Sequence, residues 1–343
     1  MKNYILQFFV AVFISLVMTP LVRRLAIKIG ALDIPKDDRR VHNKPMPLMG
    51  GLAIYIAVVF ATLMFLPIDR SLMSIMIGGS IIVCSGIIDD MKGMSPKLKL
   101  LFQIIAGGVL VLGDVKVDAI TNPFSHSNIL LELKWFSIPI TLFWVVGITN
   151  TLNLIDGLDG LSAGVAMISS ISFMLVAGKF ENLDVTVLSG IVAGACLGFL
   201  PYNFNPAKIF MGDTGALFLG FMLAAISIEG VMKSVATIAI IVPILILGVP
   251  IFDTTFAIFR RLLSGQSIVS ADKGHLHHRL LNMGFSQRQT VLILYGISAI
   301  FGTFAVIVAK ANSKQAVYLS VILFIVAILI LAKLGLFKKN TKK

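Results

Sequence analysis

Eleven stretches of mostly apolar residues recur along this 343-residue chain and constrain its fold more than any other feature. A helix needs about 20 such residues to cross the hydrocarbon layer of a membrane. The stretches lie near residues 3–22, 49–66, 71–88, 99–113, 136–154, 160–178, 185–201, 214–230, 235–257, 290–309 and 315–336. Charged residues make up only 13% of the chain, too few to cover the exterior of a soluble protein of this length. The sequence therefore predicts an all-α, multi-pass membrane protein with about eleven transmembrane helices in a single domain over residues 1–343.

The basic residues fall mainly on one set of alternate connections between these stretches. Of the 29 lysines and arginines, 21 belong to that set when Lys99 at its edge is included. The connections concerned are residues 23–48, 89–98, 155–159, 202–213 and 258–289, and the tail from residue 333. Basic residues are enriched in cytoplasmic connections, so the N-terminus is expected outside and the C-terminus in the cytoplasm. On the outer side, the alternating residues of 114–135 suggest a small hairpin or a surface-lying segment.

The acidic residues near membrane depth gather at the inner ends of the predicted helices. They are Asp89 and Asp90 after the third stretch, Asp156 and Asp159 between the fifth and sixth, Asp213 before the eighth, and Asp253 in the ninth. Ionisable groups at this depth are costly and usually mark a functional site. Because these acids are distant in sequence but share one side of the membrane, they predict a single cytoplasmic site.

Asp89 and Asp90 stand at the inner end of a helix that runs from outside to inside. The negative end of the helix dipole disfavours carboxylates there, and two adjacent carboxylates repel each other. An interfacial stop balanced by Lys92 is the alternative. A divalent metal or a cationic partner would relieve both costs, so a functional role is favoured.

Polar side chains recur every third residue from 150 to 160. Two amides and two carboxylates, Asn150, Asn153, Asp156 and Asp159, would share one face if the segment were helical. Gly157 would permit close backbone approach or a break in that helix. Such side chains can hold a nucleotide or a metal, whereas helix capping explains only one of the four.

Two further motifs supply groups suited to phosphate. Asp213 precedes an apolar helix, where it is either an N-cap or a metal ligand that holds phosphate at the helix N-terminus. The run His275-x-His277-His278-Arg279 fits no common structural zinc spacing. Beside an arginine, these histidines are better suited to binding phosphate.

Taken together, the motifs resemble those of the polyprenyl-phosphate N-acetylhexosamine-1-phosphate transferases, the group that contains MraY, WecA and TagO. The resemblance covers about residues 33–290. It rests on Asp33-x-Pro35, Arg40-x-His42, Pro47-x-x-Gly50-Gly51, Asp89-Asp90 with Lys97 and Lys99, Asn153-x-x-Asp156-Gly157-x-Asp159-Gly160, Gly212-Asp213-Thr214-Gly215 and His275-x-His277-His278. The histidine run is similar to that of the WecA/TagO branch, and the longer MraY signature is absent.

The resemblance implies transfer of a sugar-1-phosphate from a UDP-sugar, most simply UDP-GlcNAc, to undecaprenyl phosphate, with release of UMP. It implies Mg2+, with Mn2+ as a substitute, in a bacterial plasma-membrane enzyme that initiates a cell-envelope polymer such as teichoic acid or O-antigen. The expected catalytic residues are Asp89, Asp90, Asp156, Asp159, His275, His277 and His278. The expected substrate-binding residues are Lys44, Lys97, Lys99, Asn150, Asn153 and Arg279. The expected metal ligands are Asp213, Asp90 and Asp156.

Alternatives stay open at this point. The sugar could be another N-acetylhexosamine, and a phospho-MurNAc-pentapeptide transferase is the neighbouring function. A secondary transporter would place its polar residues near the bilayer midplane and show an internal repeat, neither of which is evident here. The CDP-alcohol phosphotransferase motif fails after Asp156-Gly157. The small-residue pattern Gly190-x-x-x-Gly194 allows packing within one chain or in a homodimer, and no nucleic-acid partner is expected.

Overall fold

A computed structural model describes residues 4–34, 45–121, 130–232, 240–263, 265, 274–309 and 318, and these residues are mostly helical. The helices are α1 (Tyr4–Ile29), α2 (Gly51–Phe65), α3 (Arg70–Lys92), α4 (Pro96–Leu112), α5 (Ser137–Ile155), α6 (Leu161–Lys179), α7 (Leu183–Asn203), α8 (Gly212–Ser227), α9 (Ile241–Ile246), α10 (Gly248–Leu263), α11 (Leu276–Asn282) and α12 (Gln287–Val308). A 3₁₀ turn at Lys134–Phe136 precedes α5, and a π-helical turn at Ile228–Met232 extends α8. The eleventh apolar stretch, near 315–336, lies outside the described residues apart from Tyr318.

Seven helical segments within the described ranges are long and apolar enough to cross a membrane. They are Ile5–Ile29, Arg70–Lys92, Lys134–Ile155, Leu161–Lys179, Leu183–Asn203, Gly212–Met232 and Gln287–Val308. The second stretch forms α2, an apolar helix of only 15 residues. The fourth forms α4, which begins at Pro96 and so includes two lysines of the predicted inner connection. The expectation of a helical, multi-pass membrane protein is confirmed.

Helix α8 occupies the centre of the bundle. Its most apolar 18-residue window is 94% buried inside the protein, as expected for a helix that is apolar on every side. It packs against α2, α3, α5 and α6. Glycine makes two of these contacts close, because a Cβ at Gly51 would collide with the backbone of Gly215 and one at Gly86 with the backbone of Thr214. The inner ends of α2 and α3 are thereby held beside the start of α8.

The ninth apolar stretch is broken where a continuous span over 235–257 was expected. Helix α9 ends at Ile246 and α10 begins at Gly248. Pro243 and Pro250 each lack a backbone N–H, which weakens the hydrogen bonding of a continuous helix through this segment. Helix α10 then continues to Leu263 and buries Asp253 on its inward face.

Two short hairpins join helices on opposite sides of the bundle. Strands β1 (Leu32–Asp33) and β2 (Met46–Pro47) pair antiparallel, and the backbone of Phe210 donates to the carbonyl of Pro47. Strands β3 (Ala119–Thr121) and β4 (Leu130–Glu132) form the hairpin suggested for the connection after α4. The first hairpin therefore ties the connection after α1 to the segment that leads into α8.

Candidate active site

Five of the six predicted inner-face acids line one cavity of about 810 Å³, whereas the sixth, Asp253, is buried and does not line it. Its lining includes Asp33, Asp89, Asp90, Asn153, Asp156, Asp159, Asn203, Asn205, Phe210, Asp213, His278 and Gln287. These side chains come from the first hairpin, α3, α5, the connection before α6, the last residue of α7, the connection between α7 and α8, α8, α11 and α12. The prediction that distant acidic motifs meet at one site agrees with this geometry.

A lysine bridges two carboxylates at the centre of the site. Lys99 Nζ lies 2.8 Å from Asp89 Oδ2 and 2.6 Å from Asp213 Oδ2. Asn153 donates from Nδ2 to the other oxygen of Asp213, at 3.0 Å. The sequence prediction that Lys99 belongs to the site agrees with this arrangement, which connects α3, α4, α5 and α8.

Asp90 holds the first turn of α8. Its Oδ1 accepts from the backbone N–H of Asp213 at 2.8 Å, and its Oδ2 accepts from the backbone N–H and the hydroxyl of Thr214 at 3.2 and 2.6 Å. The N-cap interpretation of Asp213 is therefore wrong, because Asp213 lies inside the first turn and a carboxylate from α3 supplies the cap. Gly212 has a φ of +70°, and a Cβ there would strike the Asp90 carboxylate.

Ligand oxygens of Asp89, Asp90 and Asp213 all lie within 4.8 Å of one another. Carboxylate oxygens are the ligands that hard cations such as Mg2+ prefer. Of the three predicted metal ligands, Asp213 and Asp90 belong to this cluster. Asp156 lines the same cavity but is not one of the three clustered carboxylates.

Helix α5 ends at Ile155, so the repeat of polar residues does not continue along one helical face. Asp156 and Asp159 lie in the following connection, where Gly160 adopts a φ of +79° and ends the turn before α6. Asp159 Oδ2 accepts from Asn205 Nδ2 and from the backbone N–H of Ala207, both at 3.0 Å. Asp159 therefore anchors the connection between α7 and α8 at the cavity wall.

Asp156 faces the cavity in a strongly negative environment. Burial raises the pKa of its carboxyl to about 8, and the charges of Asp213, Asp90 and Asp159 contribute to the rise. When no cation is close by, this raised pKa favours the protonated form of the carboxyl. A bound cation would favour its ionised form.

Two predicted substrate-binding residues, Asn150 and Lys97, lie outside this central arrangement. The amide of Asn150 pairs with that of Gln103, with Asn150 Nδ2 2.6 Å from Gln103 Oε1 and Gln103 Nε2 3.2 Å from Asn150 Oδ1. Neither Asn150 nor Lys97 is among the described residues that line the cavity, and Lys97 is exposed. Lys44 lies outside the described residues.

The histidine run divides into an anchored part and a cavity-facing part. His275 is buried and its Nδ1 lies 2.9 Å from Asp253 Oδ2. The ring of His277 is also buried, and its Nε2 would lie 2.6 Å from a Cβ added to Gly157. His278 alone of the three lines the cavity, while Arg279 donates from Nε to the carbonyl of Gly274 at 3.1 Å.

Burial also sets the protonation of His277. Its pKa is lowered to about 4, chiefly because burial disfavours the charged ring and secondarily because of His278. His277 is therefore neutral at pH 7. Its packing against Gly157 couples the histidine run to the connection that carries Asp156.

Several polar residues of the site were not predicted from the sequence. Asn203 accepts from the N–H of Gly160 and donates to the carbonyl of Ile209, and Asn205 donates to both Asp159 and Gln287. The only signal for the two asparagines was their place in an inner connection between apolar stretches. Tyr295 likewise donates from α12 to the carbonyl of Gly160.

The cavity lining is strongly acidic. Its described residues include six aspartates and neither lysine nor arginine, although Lys99, which is not a lining residue, binds two of those aspartates. An anionic ligand would be repelled by such a surface unless a cation accompanied it. The arrangement therefore favours binding of a cation, and an anionic ligand would enter together with one.

Comparison with known proteins gives a consistent result. The family model described as glycosyl transferase family 4 matches residues 72–231. The chain is 44% identical over 343 residues to a probable undecaprenyl-phosphate N-acetylglucosaminyl 1-phosphate transferase of Bacillus subtilis, covering 100% of this chain and 95% of that protein. It is 37% identical to a decaprenyl-phosphate N-acetylglucosaminephosphotransferase of Mycolicibacterium smegmatis, covering 83% and 77% respectively. It is 32% identical to a phospho-N-acetylmuramoyl-pentapeptide-transferase of Halalkalibacterium halodurans, covering 88% and 95%.

Proposed function

This chain belongs to glycosyl transferase family 4, and from that premise we propose that it transfers GlcNAc-1-phosphate from UDP-GlcNAc to undecaprenyl phosphate. The products are undecaprenyl-pyrophosphoryl-GlcNAc and UMP. Such a product would start a cell-envelope polymer, and the enzyme would lie in a bacterial plasma membrane. The nearly full-length similarity to the Bacillus subtilis transferase supports this choice of acceptor and sugar.

The observation that carries the proposal is the acid cluster at one end of the helix bundle. Asp89, Lys99 and Asp213 meet within hydrogen-bonding distance at a cavity large enough for a nucleotide sugar. Both substrates carry phosphate, and one of them is a membrane lipid. An enzyme for this reaction therefore needs a charged pocket at the membrane surface, where water and lipid both have access.

The clustered carboxylates fit a divalent cation. Asp89 and Asp213 would hold Mg2+, or Mn2+ in its place, while Asp90 keeps Asp213 in position through the first turn of α8. When bound, the cation would neutralise charge on the nucleotide pyrophosphate and leave its remaining coordination positions to water and phosphate oxygens. Lys99, which bridges the same two aspartates, supplies a second positive charge.

The transfer requires approach of one anion to another. An oxygen of the lipid phosphate forms a bond to the β-phosphorus of UDP-GlcNAc, and the bond from that phosphorus to the oxygen shared with the α-phosphorus breaks. UMP leaves with that oxygen. Positioning and charge compensation dominate catalysis of such displacements.

The chain's own residues would divide this work by position. Asp89 would position or deprotonate the lipid phosphate, and Lys99 would offset negative charge at the reacting phosphates. His278 faces the cavity and would donate to the pyrophosphate. Asn153 would keep the Asp213 carboxylate oriented, since it already donates to that side chain.

We place this site beneath the inner leaflet, with eleven membrane-spanning segments, the N-terminus outside and the C-terminus in the cytoplasm. The bias of basic residues supports this orientation. UDP-sugars are made in the cytoplasm, which is the compartment that the cavity would then face.

The test is to incubate the purified protein with undecaprenyl phosphate, Mg2+ and a panel of UDP-sugars. The panel includes UDP-GlcNAc, UDP-GalNAc and UDP-MurNAc-pentapeptide, and the lipid product is identified by mass spectrometry with UMP measured in parallel. A GlcNAc-pyrophospholipid is expected. A MurNAc-pentapeptide product would assign the function of the Halalkalibacterium relative instead, and labelled substrate accumulating in vesicles without a lipid product would favour a transporter.

Asp89→Asn and Asp213→Asn test the acid cluster in the same assay. Each should lower UMP release at least 100-fold, because each removes one carboxylate from the shared cation and lysine site. Asp114→Asn in the connection after α4 is the matched control, since it makes the same chemical change away from the cavity. Near-normal turnover of either cluster variant would reject the role of that residue.

A further inference from the structure

Asp253 is a buried carboxylate on the broken ninth segment, and it takes no part in the proposed transfer step. Its side chain is 2% exposed and lies within α10. Oδ2 lies 2.9 Å from Nδ1 of His275, and Oδ1 accepts from the backbone N–H of Leu276 at 2.7 Å. One carboxylate thus binds both the side chain before α11 and the first N–H of that helix.

From His275 the contacts continue toward the cavity. The rings of His275 and His277 are parallel, with centroids 5.7 Å apart and an interplanar angle of 5°. The ring of His277 packs on Gly157, and its centroid lies 4.3 Å from that of His278. His278 lines the cavity.

We propose that Asp253 is a positioning residue that holds His278 at the cavity through His275 and the start of α11. The carboxylate fixes the proton of His275 on Nδ1, orients the ring and sets the point at which α11 begins. The ring of His277 is thereby held between His275 and Gly157. The kinetic test of this role rests on the proposed transferase function, because it measures turnover. The spectroscopic test does not.

An aspartate suits this position because two donors converge on it. Asparagine has one acceptor oxygen and one amide group, so Asp253→Asn either leaves the N–H of Leu276 or of His275 Nδ1 facing a donor or changes His275 to the Nε2–H tautomer, whose Nδ1 accepts from the amide. A buried donor without an acceptor costs free energy and displaces its neighbours. The substitution preserves shape and therefore tests the hydrogen bonds rather than packing.

The kinetic experiment compares Asp253→Asn, His275→Ala and the double variant with the wild-type protein. Asp253→Asn should lower kcat/KM for UDP-GlcNAc at least tenfold in protein that still folds, as judged by thermal unfolding. In the His275→Ala background the same change should cost at most threefold, because the contact with His275 is already absent and asparagine can still accept from the N–H of Leu276. Thr254→Ala is the matched control, since no described residue hydrogen-bonds its hydroxyl.

Equal penalties for Asp253→Asn with and without His275 would overturn the proposal. So would a fall in the melting temperature accompanied by unchanged kcat/KM in the folded fraction, which would indicate a purely structural role. Conservative rescue supplies a further check: His275→Asn keeps an N–H near the position of Nδ1 and should retain more activity than His275→Ala.

A readout without turnover separates this proposal from the proposed function. In ¹⁵N-histidine spectra of the wild-type protein, His275 should be the Nδ1–H tautomer, and Asp253→Asn should shift or broaden its signals and those of His277. If the wild-type protein makes no UMP but shows this tautomer and its loss, the transferase assignment fails and the positioning role of Asp253 stands. An Nε2–H tautomer in the wild type would refute that role.

Discussion

Asp90 uses both carboxylate oxygens on the first turn of α8 and so supplies the cap that no residue of α8 itself provides. It accepts three hydrogen bonds from Asp213 and Thr214. A carboxylate is favoured at a helix N-terminus by the exposed N–H groups and the helix dipole. Asp90 therefore positions Asp213, even though the sequence placed it equally among catalytic and metal-binding residues.

Asp90→Asn should destabilise the protein by about 1–2 kcal/mol, the usual cost of losing a helix cap. The amide group would face an N–H of α8 in place of an acceptor oxygen. Turnover should also fall, because Asp213 would lose its fixed position. Thermal unfolding and UMP release measure the two effects, and an unchanged melting temperature would show that Asp90 does not cap α8.

His277 should make the stability of the folded protein depend on pH. Its pKa is lowered to about 4 from the ordinary value of 6.5, so between these pH values the unfolded chain binds a proton that the folded protein excludes. The stability that neutral His277 provides is present above pH 6.5 and is lost as the pH falls toward 4. The full loss is about 3 kcal/mol, from the size of the pKa shift.

The measurement is the melting temperature from pH 7 to pH 4 for the wild-type protein and His277→Gln. The wild-type curve should fall more steeply between pH 6.5 and pH 4, because glutamine does not titrate. Carboxylates elsewhere affect both proteins alike and cancel in the difference. Parallel curves would mean that His277 takes up its proton as readily in the folded protein as in the unfolded chain.

At the scale of elements, the start of α8 depends on a glycine. Gly212 has a φ of +70°, and a Cβ there would strike Asp90. Gly30, after α1, has a similar φ of +75°, but a Cβ added there would have no heavy atom within 4 Å. Alanine at either position strains the backbone, but only alanine at Gly212 also collides with Asp90. Comparing the two variants therefore separates the effect of backbone strain from the effect of the collision.

Gly212→Ala should lower UMP release at least tenfold, whereas Gly30→Ala should leave turnover per folded molecule near the wild-type value. Both substitutions carry the cost of a side chain at positive φ, about 1 kcal/mol. Only the first also displaces Asp90. Equal turnover in the two variants would show that the close approach of Gly212 and Asp90 is unimportant for activity.

The acid cluster also joins elements, since Asp89 belongs to α3 and Asp213 to α8. A cation shared by the two would bind the folded protein and stabilise it by about 2.7 kcal/mol at a concentration roughly 100 times its dissociation constant. Mg2+ should therefore raise the melting temperature of the wild-type protein, and EDTA should reverse the rise. Asp213→Asn should abolish the increase, and an undiminished increase in that variant would place the cation elsewhere.

Helices and inner-face motifs could be predicted because both depend on local sequence. The apolar stretches are of this kind, and seven of the described helical segments are long and apolar enough to cross a membrane. The capping box of Ser286 and Gln289 is equally local, since its two residues are three positions apart. The pairing of Asn150 with Gln103 and of Asp90 with Thr214 could not be predicted, since those partners lie 47 and 124 residues apart. The break before α10 was missed because hydropathy continues unchanged through Pro243 and Gly248.

For the whole molecule, the described acids of the site lie together while the second hairpin joins α4 to α5 at their other ends. The cavity draws on the C-terminal ends of α3 and α5 and on the N-terminal ends of α8 and α12, so these four helix ends lie on one side of the bundle. The bias of basic residues predicts that this is the cytoplasmic end. On that orientation, the proposed chemistry would take place at the cytoplasmic face, and the second hairpin is predicted to face the outside.

Cysteine labelling tests this orientation directly. In a Cys84→Ala/Cys196→Ala background, Glu132→Cys in the second hairpin should react with a membrane-impermeant maleimide in intact spheroplasts. Lys208→Cys, in the connection between α7 and α8, should react only after permeabilisation. Both native positions are exposed, so differences in labelling report the side of the membrane rather than burial. The reverse pattern would place the cavity outside, away from cytoplasmic UDP-sugars, and would overturn the proposed donor.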